Sequence, residues 1–170
     1  MARVSLILGG ARSGKSARAL ALAGQPPHVF IATAEALDGE MLERIAQHKA
    51  GRGESWGLVE EPLELAEALR SHAADGTTLV VDCLTLWLSN LIHRERDPEA
   101  ETGRLIEALA AAPGRVVLVS NEVGMGLVPL TALGRDFRDA QGRLNQRIAG
   151  VADHVEFVAA GLPLVLKGAP

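Results

Sequence analysis

The residues best suited to chemistry lie near the start of the chain, in the run Gly9-Gly10-Ala11-Arg12-Ser13-Gly14-Lys15-Ser16. This run matches the pattern G-x-x-x-x-G-K-[ST] of a phosphate-binding loop. Its glycines would let backbone N–H groups point at phosphate oxygens, and the helix predicted to follow would add its positive end. Lys15 would reach the outer phosphates, and the Ser16 hydroxyl would complete a Mg²⁺ shell. The alternative is a glycine-rich turn that matches by chance.

Two carboxylates follow aliphatic runs further along the chain. Asp82 ends the run of residues 77–82, and an aspartate in that position of a phosphate-loop site orients Mg²⁺ or its water. Its other interpretation is a helix N-cap, and the phosphate loop favours the metal role. Glu122 follows the run of residues 116–119 and would serve as a general base or a second metal-shell carboxylate. The plainer interpretation of Glu122 is a solvated loop acid.

His48 has the most suggestive surroundings of the five histidines, because Arg44, Lys49 and Arg52 lie close to it in sequence. Nearby cations disfavour the protonated imidazole, and a neutral ring is a better nucleophile. By spacing alone, the segment is better interpreted as a solvated basic helix face.

A second cluster of cations consists of Arg135, Arg138, Arg143 and Arg147. In small-molecule kinases, arginines on a mobile helix close over the transferring phosphoryl group. A solvated face whose arginines pair with Asp136 and Asp139 explains the same pattern. Both interpretations stay open.

Strand and helix patterns alternate along the chain that must position these residues. Short aliphatic runs predict strands at residues 3–8, 29–32, 77–82, 115–120, 155–159 and 162–167. Helices are expected at residues 16–23, 38–50, from Pro62 onward, 84–93, 101–112 and 131–150, with a charged loop at 94–100. This alternation predicts an α/β domain with a mostly parallel sheet flanked by helices, whose ligands bind at the carboxyl ends of the strands.

Bulk composition narrows the class of protein. The length of 170 residues favours a single domain over residues 1–170, and the net charge of -4 argues weakly against nucleic-acid or anionic-membrane partners. Cys83 is the only cysteine, which excludes an intrachain disulfide and suits a reducing compartment. No apolar run approaches the ~18 residues of a membrane span, and the first residues are not expected to form a signal peptide, because glycines follow them too soon. A cytoplasmic location is expected.

Taken together, these motifs resemble the bifunctional adenosylcobinamide kinase / adenosylcobinamide-phosphate guanylyltransferase family of cobalamin assembly. The matching segments keep their order along nearly the whole chain. They are Gly9 to Ser16, Ile31 to Thr33, Asp38 to Met41, Arg44-Ile45 with His48, Trp56 with Glu60, Asp82 to Thr85 with Asn90-Leu91, Ser120 to Gly124 with Val128-Pro129, and Arg135 to Asp139 with Gly142-Arg143 and Asn145-Gln146.

The resemblance implies a two-step enzyme with a RecA-like P-loop sheet and a homotrimeric assembly. It would phosphorylate the aminopropanol hydroxyl of adenosylcobinamide with ATP or GTP, and would then transfer GMP from GTP to that phosphate. The family's covalent GMP–histidine intermediate would form on His48. Beyond the phosphate loop, the implied nucleotide contacts are Ala34, Glu35, Ala36, Gly51, Arg52, Gly53, Glu54, Glu60 and Asp82. With Mg²⁺, the metal contacts would be Ser16, Asp82 and Glu122.

Two other functions compete with this one. The phosphate loop with Arg135 and Arg138 would also suit a monofunctional kinase of another small alcohol. A nucleotide-dependent regulatory or binding module is a third hypothesis, weakened because the chain lacks the Asn-Lys-x-Asp guanine signature of regulatory GTPases. Guanine must therefore be selected by contacts that the sequence does not identify.

Overall fold

The structure is a computed structural model that describes residues 3–34 and 56–169. The described residues form one seven-stranded sheet with the strand order β3-β2-β4-β5-β1-β6-β7. The strands are β1 (Arg3–Gly9), β2 (His28–Ala32), β3 (Trp56–Glu60), β4 (Thr78–Asp82), β5 (Arg115–Asn121), β6 (His154–Ala159) and β7 (Leu162–Lys167). Strands β6 and β7 pair antiparallel, and every other pair is parallel.

Five helices are described on the two faces of the sheet. They are α1 (Lys15–Leu22), α2 (Leu65–His72), α3 (Leu84–His93), α4 (Pro98–Ala111) and α5 (Ala132–Val151). Helices α2 to α5 contribute to a large core on one face, and α1 packs on the opposite face. Because both faces of the sheet are covered, the central strands consist of unbroken aliphatic runs. In β5, Val116 and Leu118 face one core, while Val117 and Val119 face the other.

The predicted α/β architecture with a mostly parallel sheet is confirmed, and all six predicted strands are present. The seventh, β3, was missed because it lies at the sheet edge and is largely half-buried or exposed, so it shows no aliphatic run. The charged loop predicted at residues 94–100 is wrong in its last part, since α4 begins at Pro98. There the Asp97 side chain accepts a bond from the Glu99 amide. The predicted helix at residues 38–50 lies outside the described residues.

The topology brings three chain segments together at the carboxyl ends of the central strands. Strand β5 lies between β1 and β4, with Asn121 beside Gly9 and Val119 beside Asp82. The phosphate loop, Asp82 and Glu122 therefore leave the sheet at adjacent carboxyl ends, where parallel sheets bind their ligands. In the described part of the chain, no helix has both the length and the apolar character to cross a membrane.

Candidate active site

The phosphate loop connects β1 to α1 through two positions that only glycine fits. A Cβ atom added at Gly9 would lie 2.6 Å from the Val158 carbonyl oxygen and 2.5 Å from Ser13 Oγ. Gly14 has φ of 96°, in the left-handed region, and forms the N-cap of α1. The chain can thus turn tightly enough to direct the amino end of α1 into the loop, as an anion site requires.

Besides Arg12, the loop carries the polar side chains of Lys15 and two serines. Lys15 Nζ donates a hydrogen bond to the Gly10 carbonyl at 2.9 Å, so its ammonium lies against the loop itself. Ser13 Oγ is buried and has no hydrogen-bond partner in the described part of the chain. Ser16 is half-buried in the first turn of α1. The loop therefore brings the Lys15 ammonium and two hydroxyls to the helix end, and these are groups that can donate to a phosphate.

Asp82 lies buried at the end of β4, and its neighbour is tied to the end of β2. The Thr33 hydroxyl donates to the Cys83 carbonyl at 2.7 Å and accepts from the Cys83 amide at 2.8 Å. Asn90 Nδ2 donates to the carbonyls of Thr33 at 2.7 Å and Pro62 at 3.1 Å. These bonds connect the segments that follow β2, β3 and β4. The carboxyl end of β4, which carries Asp82, is therefore held to the ends of β2 and β3.

The pKa of the Cys83 thiol is shifted by burial and by nearby charges. Burial, reinforced by the Asp82 charge, raises the pKa of the Cys83 thiol to about 11, while the Lys15 charge acts in the opposite direction. The thiol therefore stays protonated at neutral pH and is no nucleophile.

Glu122 joins this site through its backbone. Its amide donates to the Gly9 carbonyl at 3.0 Å, and its Oε1 accepts from the Gly124 amide. The turn that follows β5 is thus attached directly to the first residue of the phosphate loop. The role of the Glu122 carboxylate as a general base or a metal ligand stays a prediction.

A buried polar network holds the end of β5. Ser120 Oγ donates to Asn145 Oδ1 at 2.7 Å, and Gln141 Nε2 donates to both of these atoms at 3.0 Å. Asn145 Nδ2 donates to the Asn121 carbonyl, and the Asn121 amide donates to Thr85 Oγ1. The sequence analysis assigned no role to these side chains. The polar residues at the end of an otherwise aliphatic strand could have indicated a buried hydrogen-bond network, because buried polar groups need partners.

The four arginines of the later cluster have partners in this structure. Arg138 pairs with Asp139 at 3.1 Å, as the solvated-face interpretation predicts. Arg143 and Arg147 instead pair with Glu99 of α4. Arg135 Nη1 donates to the carbonyls of Pro129 and Leu130, and so braces the loop before α5.

The remaining predicted nucleotide contacts and the predicted nucleophile His48 divide into two groups. Ala34, half-buried after β2, and Glu60, exposed at the end of β3, both lie at the carboxyl edge of the sheet. The others lie outside the described residues and are Glu35, Ala36, His48, Gly51, Arg52, Gly53 and Glu54. Their roles stay predictions.

A glycine-rich loop between the first strand and a helix, with a buried aspartate ending a neighbouring parallel strand, defines a P-loop nucleotide-binding protein. Comparison with known families narrows this class. The family model described as "Cobinamide kinase / cobinamide phosphate guanyltransferase" matches residues 5–166, and the chain belongs to this family.

Curated relatives match over almost their full lengths. "Bifunctional adenosylcobalamin biosynthesis protein CobP" of Pseudomonas aeruginosa is 52% identical, with 97% of this chain and 98% of the relative covered. "Bifunctional adenosylcobalamin biosynthesis protein CobU" of Salmonella typhimurium is 42% identical, and the protein of that name from Escherichia coli is 40% identical. Each of these two matches covers 95% of this chain and 98% of the relative.

Proposed function

We propose that this protein is a bifunctional enzyme of cobalamin biosynthesis, which phosphorylates adenosylcobinamide and then transfers GMP from GTP to the new phosphate. The family match over residues 5–166 carries the proposal. An intact phosphate loop, with its glycine conformations and its lysine, supports the nucleotide chemistry that both steps need.

In the kinase step, the phosphate loop would hold the triphosphate of ATP or GTP. Lys15 Nζ would leave the Gly10 carbonyl and bind the outer phosphates, while the α1 amino end would stabilise their charge. The substrate hydroxyl would attack the γ-phosphorus as the bond to the β-phosphate breaks, and its proton would pass to a base. We assign this base to Glu122, because its backbone is bonded to Gly9.

Ser16 and Asp82 fit a magnesium site, whereas Glu122, the other predicted ligand, is assigned to the base. Hydroxyl and carboxylate oxygens are the donors that Mg²⁺ prefers, and the ion would neutralise charge on the phosphates when bound. Among the described residues, no three acidic, histidine or cysteine side chains group closely enough to hold a metal ion. The nucleotide phosphates would therefore supply the remaining ligands.

In the transfer step, we assign the nucleophile to His48. Its ring nitrogen would attack the α-phosphorus of GTP, forming a P–N bond as the bond to pyrophosphate breaks. The phosphate oxygen of the corrinoid would then attack the same phosphorus and release the histidine. This assignment rests on the match of Arg44-Ile45 and His48 to the family pattern.

Strand β7 supports a homo-oligomer, which we propose to be a trimer. All six residues of this edge strand are exposed within one chain, including Leu162, Leu164, Val165 and Leu166. Contiguous exposed aliphatic side chains mark protein contacts, and an uncovered edge strand invites aggregation. A second copy of the chain would cover both the aliphatic side chains and the free edge of β7.

Product analysis tests the proposal. With adenosylcobinamide and ATP, mass spectrometry should show a corrinoid monophosphate, and added GTP should convert it to adenosylcobinamide-GDP with release of pyrophosphate. Turnover that stops at the monophosphate would favour the monofunctional kinase. Absence of any corrinoid product would contradict the proposal.

A further inference from the structure

The β6–β7 hairpin forms a wall against the phosphate loop. The Gly161 amide, in the turn between the two strands, donates to the Ser13 carbonyl at 2.8 Å. A Cβ atom added at Gly14 would lie 3.1 Å from the Gly161 Cα atom, and Gly9 meets the Val158 carbonyl in the same way. The loop is therefore shaped by a part of the chain that lies almost 150 residues further on.

One ion pair joins the same strand to the helix of the loop. Arg18, in the first turn of α1, donates from Nε to Glu156 Oε2 and from Nη2 to Glu156 Oε1, both at 2.7 Å. Glu156 lies on β6 beside Ile7 of β1. The contact is bidentate, which fixes the direction of the guanidinium as well as its distance.

The surroundings of this pair keep it ionised. The Glu156 side chain is fully buried, whereas the Arg18 side chain is 29% exposed. The Arg18 hydrogen bonds hold the pKa of Glu156 below its usual range against the opposing effect of burial, with a smaller contribution from His154, whose Nε2 lies 2.9 Å from Glu156 Oε1. A buried charge that loses its partner is costly, so the link resists separation.

We propose that Glu156 is a positioning residue for the phosphate loop. Through Arg18 it holds α1 against β6, while the Gly161 amide holds Ser13 from the same hairpin. Together these contacts fix the amino end of α1 and the start of the Lys15 side chain before a nucleotide arrives. A preorganised loop binds the triphosphate without a cost for ordering it. The inference rests on the proposed function, because the ligand is the nucleotide of that site.

Asp153 offers a matched control at the other end of the same strand pair. Its Oδ2 accepts from the Val4 amide at 2.9 Å, and its own amide donates to the Val4 carbonyl. Both carboxylates therefore hold β6 against neighbouring structure, but Asp153 lies at the amino end of β1, away from the loop. A merely structural role for Glu156 predicts similar behaviour of the two amide variants.

The test compares the dissociation constants for Mg-GTP of the wild type, Glu156→Gln and Asp153→Asn, measured by calorimetry without corrinoid. All three proteins carry His48→Ala in addition, so that GTP cannot form the covalent intermediate during the measurement. We expect Glu156→Gln to raise the constant at least about ten-fold and to raise KM for the nucleotide more than it lowers kcat. Asp153→Asn should stay within about two-fold of the wild type, whatever its melting temperature. Hydrogen exchange of residues 10–18 should accelerate only in Glu156→Gln.

Equal constants in Glu156→Gln and the wild type, or equal increases in both variants, would overturn the positioning role. Should Glu156→Gln fail to fold, the double variant Arg18→Gln/Glu156→Gln leaves no buried charge unpaired and should also bind about ten-fold more weakly. Wild-type affinity in that double variant would overturn the inference as well. Wild-type protein that binds no GTP at all would instead contradict the proposed function.

Discussion

At the level of single residues, Lys15 is the side chain on which both proposed steps depend. Its bond to the Gly10 carbonyl keeps the ammonium at the loop when no phosphate is present. The loop residues could be predicted from sequence because the motif is local and its chemistry fixes its spacing. The Arg18–Glu156 pair could not be predicted from sequence, because its two residues are 138 positions apart. A glutamate inside an aliphatic strand was the only signal that a buried partner existed.

Replacing Lys15 by Ala should therefore reduce both activities. We expect at least about a 100-fold loss of kcat/KM for phosphorylation and for GMP transfer, because one cation stabilises the triphosphate in each step. Radiolabelled product assays would measure both. Arg70→Ala removes an exposed cation of α2 that pairs weakly with Glu67, and should leave both rates unchanged. A loss confined to one activity would contradict a shared phosphate loop.

Glu156 also makes stability depend on pH. Because its pKa is lowered in the folded state, its contribution is present above the ordinary glutamate value of about 4.5 and is lost as pH falls through the folded pKa. Urea unfolding should show the wild type more stable than Glu156→Gln at pH 7, with a smaller difference below pH 4. A difference that grows with acid would contradict the assigned direction.

At the level of elements, buried and local patterns were predictable, and edge or long-range features were not. The aliphatic strands β4 and β5 were found because both of their faces are covered. Strand β3 was missed, since at the sheet edge its side chains carry no clear pattern. Likewise, nothing local shows that Thr33, Asn90 and Pro62 meet, although this contact sets the end of β4 that carries Asp82.

Replacing Asn90 by Ala should destabilise this junction. The carbonyls of Thr33 and Pro62 would lose their donor, which costs about 1–3 kcal/mol for a buried group. Chemical denaturation would measure the loss, and KM for the nucleotide should rise because Asp82 is less well held. Ser89→Ala, one position earlier on α3, is the control. Unchanged stability in Asn90→Ala would contradict the proposed tie.

At the scale of the whole molecule, residues 3–34 and 56–169 are organised around one sheet. The candidate site lies at the carboxyl ends of its strands, and no other described element covers its last strand. The loop contacts the turn before β7, so the proposed contact between copies would lie one hairpin away from the phosphates. Neither the oligomer nor the corrinoid contacts could be predicted from residue patterns, because both depend on surfaces that partners cover.

Charged substitutions in β7 should dissociate the proposed trimer. Leu164→Glu/Leu166→Glu places two carboxylates on one face of the exposed strand, where burial against another copy would be costly. Light scattering should give the mass of three chains for the wild type and of one for the variant. Ala110→Glu, an exposed change on α4, should leave the mass unchanged. A monomeric wild type would contradict the assembly.

The most direct test of the central claim is incubation of the protein with GTP labelled at the α-phosphate. We predict a covalent label that is labile in acid and stable in base, as a phosphoramidate is, and that is absent from His48→Ala and retained by His72→Ala. His48→Ala should still phosphorylate adenosylcobinamide with ATP, because none of the residues assigned to that step is His48. An unlabelled wild type, or a label that persists in His48→Ala, would contradict the account.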